Sequence, residues 1–373
     1  MAGIYVHIPF CRAKCFYCGF YSVASLQWRE DYAEALCREM DLRADYLPGK
    51  EVATLYFGGG TPSCLEEAAL KKIVSHIHKR WKLEEGAECT IEVNPEDVVP
   101  DKLGLWKDLG FNRLSIGVQS FEDRVLERIH RRHTGEQAMQ AVLQAKRAGF
   151  SNINMDLIIG LPGMDREALD FSLRMAGELG VTHVSAYMLS LDAGSVLEKL
   201  YEQGKFQPMD DDALAERYLY VSDILGKEGY DHYEISNFAK DAKYAKHNTA
   251  YWTQQPYIGL GAAAHSFDGI SRQWNVAHVK KYMKALSEGK VDLEREILTD
   301  RDKYNEYLMT RFRTKWGIDT AYMTMAFPAW WEKAEQRLRG YERQGWIARE
   351  EGRVRMTKTG WLVSDMIFSE LFV

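Results

Sequence analysis

The sequence predicts an α/β fold, a parallel sheet covered by helices, followed by a smaller helical domain that ends in a β-wing. Three observations predict it. Between residue 3 and about 190, six short apolar runs alternate with amphipathic stretches of helical period. Every connection between runs is long enough for the crossover helix that parallel strands require. The unusual polar residues fall at or just after the carboxyl ends of the runs, where β/α folds gather their ligands. An open doubly wound sheet and a full or partial β/α barrel both satisfy this pattern.

The expected strands are "GIYVHI" (3–8), "VATLYF" (52–57), "ECTIEV" (88–93), "RLSIGV" (113–118), "INMDLIIG" (153–160) and "HVSAYML" (183–189). Helices are expected over 28–46, 65–81, 101–109, 137–148 and 166–179. Past residue 205 a helical stretch, 211–227, leads to "YDHYEISNFAK". The stretch "YAKHNTAYWTQQPYIGLGAAAHSFDG" follows, and its aromatic and small residues fit neither a regular helix nor a strand. From about 296 the chain is helical and charged, holds Trp316, Trp330, Trp331, Trp346 and Trp361, and closes on the wing-like "GWIAREEGRVRMTKTGW". The expected division is a barrel over 1–205, an extension of it over 206–295 and the winged helical domain over 296–373. The wing is expected to pack on the main domain.

Composition narrows the function classes. The 373 residues carry 48 Lys and Arg against 54 Asp and Glu, a net charge of −6 without a basic block, which argues against nucleic acid as a partner. No run approaches the length of a membrane span, and "MAGIYVHIPF" lacks the basic start and apolar core of a signal peptide, so a cytoplasmic protein is expected. Nothing in the pattern either supports or refutes a weak peripheral association with a membrane. Three of the six cysteines lie within eight positions, which in a reducing compartment points to metal rather than disulfides; Cys37, Cys64 and Cys89 are expected in the core.

The crowded set is Cys11, Cys15 and Cys18, spaced C-x3-C-x2-C. A structural zinc site wants four ligands, commonly as two separated pairs, and a dithiol leaves Cys11 idle. A [4Fe–4S] cluster on three thiolates leaves one iron open to a ligand other than protein. "LYFGGGTP" places Gly58, Gly59 and Gly60 directly after a strand, suited to a close backbone approach or to a tight turn; it lacks the Lys of a phosphate loop. Glu92, Gln119 and Asp156 are polar groups set in apolar strands, where burial demands partners. With Arg131 of "RIHRRH" they suit the amine, carboxylate and ribose of an amino-acid nucleoside.

Together, "YVHIPFC", C-x3-C-x2-C with Tyr17 before the last cysteine, "GGGTP", "IEVNP", "SIGVQSF" and "NMDLIIGLP" resemble the radical S-adenosylmethionine (SAM) superfamily, and within it the coproporphyrinogen III dehydrogenase branch. The resemblance implies a partial (β/α)6 barrel and a [4Fe–4S] cluster on the three cysteines whose open iron is chelated by SAM. It also implies a SAM pocket lined by Tyr5, Gly59, Gly60, Thr61, Glu92, Gln119, Arg131, Asp156 and Ile158. The dehydrogenases carry a further cysteine where this chain has Phe20, and an N-terminal extension where Tyr5 is already close to residue 1. "HNTAYW" is similar to the H-N-x-x-Y-W motif of the HemW-type haem chaperones, which implies haem as cargo on His247, Tyr251 and Trp252, with delivery to apo-proteins such as respiratory cytochromes. His265 is a second candidate iron ligand. The alternative implied by the branch is oxygen-independent oxidative decarboxylation of coproporphyrinogen III. "GLGAAAHSF" formally matches G-x-G-x-x-A, but without a strand–turn–helix unit it suggests a seat for a flat ligand or tight packing.

Overall fold

The computed structural model describes residues 2–373. Its central strands are β1 (Gly3–Ile8), β2 (Glu51–Gly59), β3 (Lys82–Val93), β4 (Arg113–Gln119), β5 (Asn152–Ile159) and β6 (His183–Met188). They pair in parallel in the order in which they occur in the chain. A doubly wound sheet would reverse that order at a switch point. The unreversed order together with sheet ends that do not meet defines a partial barrel.

Helices α1 (Arg29–Leu42), α2 (Glu67–Arg80), α3 (Pro100–Asp108), α4 (Asp123–Arg128), α5 (Gly135–Arg147) and α6 (Arg166–Glu178) fill the crossovers. The short α4 and the later α7 (Val196–Glu202) lie outside the expected set; each has too few turns to impose a visible period. After α8 (Asp211–Lys227), further strands extend the sheet at both ends. On one side β7 (Asp231–Glu234) and β8 (Asn237–Ala239) follow β6; on the other, β9 (Tyr257–Leu260), β10 (His265–Phe267), β11 (Ser271–Asn275) and β12 (Leu293–Ile297) continue outward from β1. These pairings are antiparallel except that of β9 with β1, which is parallel. Between the two sets run α9 (Lys246–Trp252) and, before β12, α10 (Val279–Ser287). The segment expected to be irregular thus contains a helix and two strands.

The strands alternate strictly. Ile4, Val6 and Ile8, Leu55 and Phe57, Cys89, Ile91 and Val93, Leu114, Ile116 and Val118, and Met155, Leu157 and Ile159 all belong to one buried apolar cluster shared with the helices. Their neighbours on the inner face are polar: Tyr5 and His7, Thr54 and Tyr56, Glu88, Thr90 and Glu92, Arg113, Ser115 and Gln119, Asn154 and Asp156, His183 and Ser185. Period two puts every second side chain on the inner face, so this barrel has a hydrophilic interior where packed β/α barrels carry layers of branched apolar residues.

A second core begins with α11 (Asp300–Phe312) and includes α12 (Thr320–Ala326), α13 (Pro328–Arg343), α14 (Lys358–Leu362) and α15 (Ser364–Leu371). A three-stranded sheet of β13 (Ile318–Asp319), β15 (Arg353–Met356) and β14 (Ile347–Glu350) forms the expected wing. This unit docks on the main domain: the Trp361 indole packs on the His232 ring at 4.6 Å, and Lys358 pairs with Asp223 at 3.3 Å. Its Arg313–Lys315 segment also lies along β7, with Ile235 N–H donating to the Arg313 carbonyl (3.0 Å) and Lys315 N–H to that of Tyr233 (2.9 Å).

Candidate functional site

The loop after β1 carries the three cysteines and is tied at its base, where Cys11 N–H donates to the Val23 carbonyl (3.0 Å) and Val23 N–H to that of Pro9 (2.7 Å). All three thiols are free and half-buried, whereas Cys37, Cys64 and Cys89 are buried as expected. Thr61 Oγ1 donates to Cys11 Sγ at 3.5 Å and Arg131 Nη1 to Cys15 Sγ at 3.4 Å. Burial pushes the Cys11 thiol pKa up and that of Cys18 to about 11, so metal must replace the protons for these groups to act as thiolates. Among the described residues no three His, Cys, Asp or Glu side chains converge on the position of a single ion. Three soft donors spread around an open mouth, with hydrogen bonds aimed at two of the sulfurs, are the kind of set an iron–sulfur cluster takes.

Beneath the loop lies a cavity of about 400 Å³ reaching down the barrel interior. Cys11, Cys15, Cys18 and Phe20 line its mouth, and Gly59, Gly60, Thr61, Glu92, Gln119, Arg131, Asp156 and Ile158 line its walls. Gly59 has φ +108°, and a Cβ there would stand 2.5 Å from the His7 ring, so the glycine serves close packing against β1. Glu92 accepts from Tyr56 Oη (2.7 Å) and Gly59 N–H (3.1 Å). Burial, opposed by the Tyr56 bond and reinforced by Asp156, raises its pKa to about 7. Asp156 accepts from Asn154 (2.8 Å) and Ser115 (3.2 Å), and burial lifts its pKa as well. Arg131 leaves its charge run and reaches inward, donating to Asn94 Oδ1 (2.9 Å) and the Gly117 carbonyl (2.5 Å). Gln119 sits at φ +68° beside a β-bulge, a strained backbone at the cavity rim.

Tyr5 stands apart from this wall: it is not among the cavity's lining residues, and its hydroxyl bonds to His7 Nδ1 at 2.9 Å. The wall residues that sequence reasoning missed are Tyr56, Asn94, Arg113, Ser115, Asn154, Ser185 and Tyr187. Their signal was present as the period-two polar positions inside runs that read as continuously apolar.

"HNTAYW" is α9, a helix that crosses the foot of the barrel. Glu88 explains why these residues are helical: its carboxylate accepts from the backbone N–H of Lys246 and of His247, both at 3.0 Å, and caps the helix from another strand. His247 is 2% exposed. One ring nitrogen bonds Thr54 Oγ1 (2.8 Å), the other Tyr251 Oη (2.7 Å), and the ring stacks on Tyr56 at 5.0 Å. Burial, with Arg113 adding repulsion, lowers its pKa to about 3, so the imidazole is neutral. Trp252 lies under Arg313 at 4.7 Å. His247, Tyr251 and Trp252 therefore pack into the protein, while the other candidate, His265, is exposed. Asn248 faces the rim cavity, whereas Lys246, Thr249, Ala250 and Thr253 line a second cavity of about 950 Å³ at the opposite mouth, with Tyr244 and Trp316.

"GLGAAAHSF" forms the turn between β9 and β10, an antiparallel hairpin without a helix. A Cβ at Gly261, φ +106°, would meet Tyr32 Oη at 2.5 Å and the His7 carbonyl at 2.6 Å. Below the turn, buried Glu39 accepts from Gly261 N–H (2.8 Å), Asn275 (2.7 Å), Tyr282 (2.6 Å) and Arg43 (2.8 Å). The small residues serve tight packing.

A partial β/α barrel with three cysteines after its first strand and a polar cavity under them defines the radical SAM class. The model of the radical SAM superfamily matches residues 5–176, and that of the HemN C-terminal domain residues 298–363. Heme chaperone HemW of Lactococcus lactis is 32% identical over 99% of this chain and 97% of its own length. That of Escherichia coli is 36% identical over 83% of this chain and 82% of its own. The solved structure of coproporphyrinogen III oxidase (HemN) from Escherichia coli superposes with TM-score 0.86 at 24% identity, covering all of this chain and 90% of that one, which shows the shared fold. The chain belongs to the HemW family of the radical SAM superfamily.

Proposed function

We propose that this protein is a haem chaperone on a radical-SAM scaffold, which binds haem and delivers it to apo-haem proteins such as those of the respiratory chain. The observation that carries the reading is the end-to-end likeness to curated HemW proteins, 97% and 98% of whose lengths are spanned in Lactococcus lactis and Bacillus subtilis. Cys11, Cys15 and Cys18 would hold a [4Fe–4S] cluster, and Gly59, Gly60, Thr61, Glu92, Gln119, Arg131, Asp156 and Ile158 would hold SAM beside it. When bound, that pair supplies one-electron chemistry. The protein's own part is to fix the ligands, screen the thiolates with Arg131 and seal the cavity foot with α9. Phe20, 70% exposed at the mouth, supports a carrier over a dehydrogenase, whose pattern has cysteine there.

His247 is the proposed iron ligand, in a conformation in which one ring nitrogen has exchanged the Tyr251 hydroxyl for iron; its neutral imidazole suits that role. The proposed location is the cytoplasm; no helix among the described residues is long and apolar enough to cross a membrane. Anaerobic reconstitution followed by two assays tests the proposal. Haem absorbance should show binding that falls in His247→Ala, with His265→Ala as the comparison. Coproporphyrinogen III, supplied with SAM and reductant, should remain unconsumed; decarboxylated product over many turnovers would overturn the reading in favour of the oxidase.

A further inference from the structure

The barrel interior satisfies almost all of its own polar groups. Glu88 is occupied by the α9 amides, Glu92 by Tyr56 and Gly59, and Asp156 by Asn154 and Ser115. His183 bonds Asn154 (2.6 Å) and Tyr233 (2.8 Å). Arg113, on the inner face of β4, is the exception among the charged groups. It is 2% exposed, yet Nε is buried without a partner, and the guanidinium makes no hydrogen bond to the described residues. Glu88 is its nearest carboxylate, 3.9 Å away and beyond hydrogen-bond reach. Thr90, its partner across the ladder, also leaves Oγ1 buried and unpaired. An arginine out of water needs acceptors, because its cost of burial is repaid only by well-placed hydrogen bonds. The cavity reaches it, since Arg113 lines the same space as the cysteines.

We infer that the deep end of this cavity is a carboxylate subsite, with Arg113 as the group that binds the carboxylate. The planar fork suits a bidentate carboxylate, and every competing acid in the interior already has its own donors. Arg113 stands six residues before Gln119, about 20 Å down the strand at about 3.3 Å per residue. A SAM chelated at the cysteines keeps its carboxylate at the rim, so the proposed function supplies a different source, a propionate of the tetrapyrrole cargo reaching down the barrel. SAM bound the other way round would present the same chemistry.

The test uses the anaerobically reconstituted full chain. Wild type is titrated with haem and with haem dimethyl ester in the same detergent, and separately with SAM and with 5′-methylthioadenosine, which lacks the amino-acid end. Arg113→Met and Arg113→Lys follow, with circular dichroism and cluster absorbance as controls for folding. The expected result is at least about tenfold tighter binding of haem than of its ester by wild type, a preference lost in Arg113→Met and partly kept in Arg113→Lys. If Arg113→Met loses affinity for SAM and not for methylthioadenosine, the subsite is confirmed with SAM as its source. Equal affinity of wild type for acid and ester, together with SAM binding untouched in Arg113→Met, or in Arg113→Lys should the methionine variant misfold, overturns the inference. Wild type that binds neither haem nor its ester refutes the carrier function instead, and leaves the SAM arm to judge Arg113.

Discussion

Replacing Glu92 with glutamine isolates the electrostatic cost of keeping a carboxylate in the barrel. Both contacts survive the change: the new amide oxygen accepts from Gly59 N–H, while its NH2 donates to Tyr56 Oη, whose hydroxyl proton turns away. What disappears is the titration. The unfolded chain releases this proton near 4.5, whereas burial holds it in the folded protein to about 7. Folded wild type therefore binds more protons through that window, and its stability falls as pH rises from 4.5 to 7, the loss being complete above 7. At about 1.4 kcal/mol per pH unit, the full effect is about 3 kcal/mol. His7 and His247, buried as neutral rings with pKa lowered to about 4 and 3, tilt the profile the opposite way, but they do so in both proteins and cancel in the difference. Urea unfolding of the cluster-free proteins at pH 5, 6, 7 and 8 should show Glu92→Gln gaining on wild type progressively, with most of the gain in place by pH 7. A difference flat to within about 0.5 kcal/mol across that range would refute the reasoning.

Four further outcomes follow from the structure. Alanine at Cys11, Cys15 or Cys18 should abolish the iron–sulfur absorbance and iron content after anaerobic reconstitution while changing stability by no more than about 1 kcal/mol, since the loop is half-exposed; an intact cluster in any one variant removes that residue from the ligand set. His247→Ala strands Thr54 Oγ1 and Tyr251 Oη and empties the space beside Tyr56, so chemical denaturation should register a loss of about 2–4 kcal/mol. Gly261→Ala forces a methyl onto Tyr32 and the His7 carbonyl at positive φ and should cost at least about 2 kcal/mol. Gly226→Ala on α8, where a Cβ meets nothing within 4 Å, should instead be neutral or add up to about 1 kcal/mol by the same chemical denaturation.

The barrel strands were legible because each couples an apolar face to a crossover helix, and the two periods are visible in the chain itself. The cysteines, the glycine turn and the acids at strand ends were legible because their residue types are costly anywhere but in a site. Helix α9 was not, because its N-terminal cap is Glu88, 158 residues earlier in the chain, and no local pattern encodes a cap supplied from another strand. Arg113 and Asn154 were overlooked for a different reason. Read one run at a time, a single polar residue in an apolar strand looks incidental, and only the aligned register turns such positions in all six strands into a hydrophilic interior. Tyr5, which the resemblance implies for the SAM pocket, shares its hydroxyl with His7 Nδ1 in this structure.

The unclosed sheet has a consequence for how this protein behaves at high concentration. A barrel left ajar offers two rows of unpaired backbone groups, the ordinary starting point for strand exchange between copies. At one margin the Arg313–Lys315 segment occupies β7, so the winged unit doubles as a guard. At the other, β12 reads "LEREI", with Glu294, Arg295 and Glu296 turned to solvent, and a second copy docking there would have to dehydrate charges at every step. The molecule can therefore keep a permanently open side without becoming adhesive, and variants that neutralise 294–296 or loosen the winged unit are where self-association should first emerge.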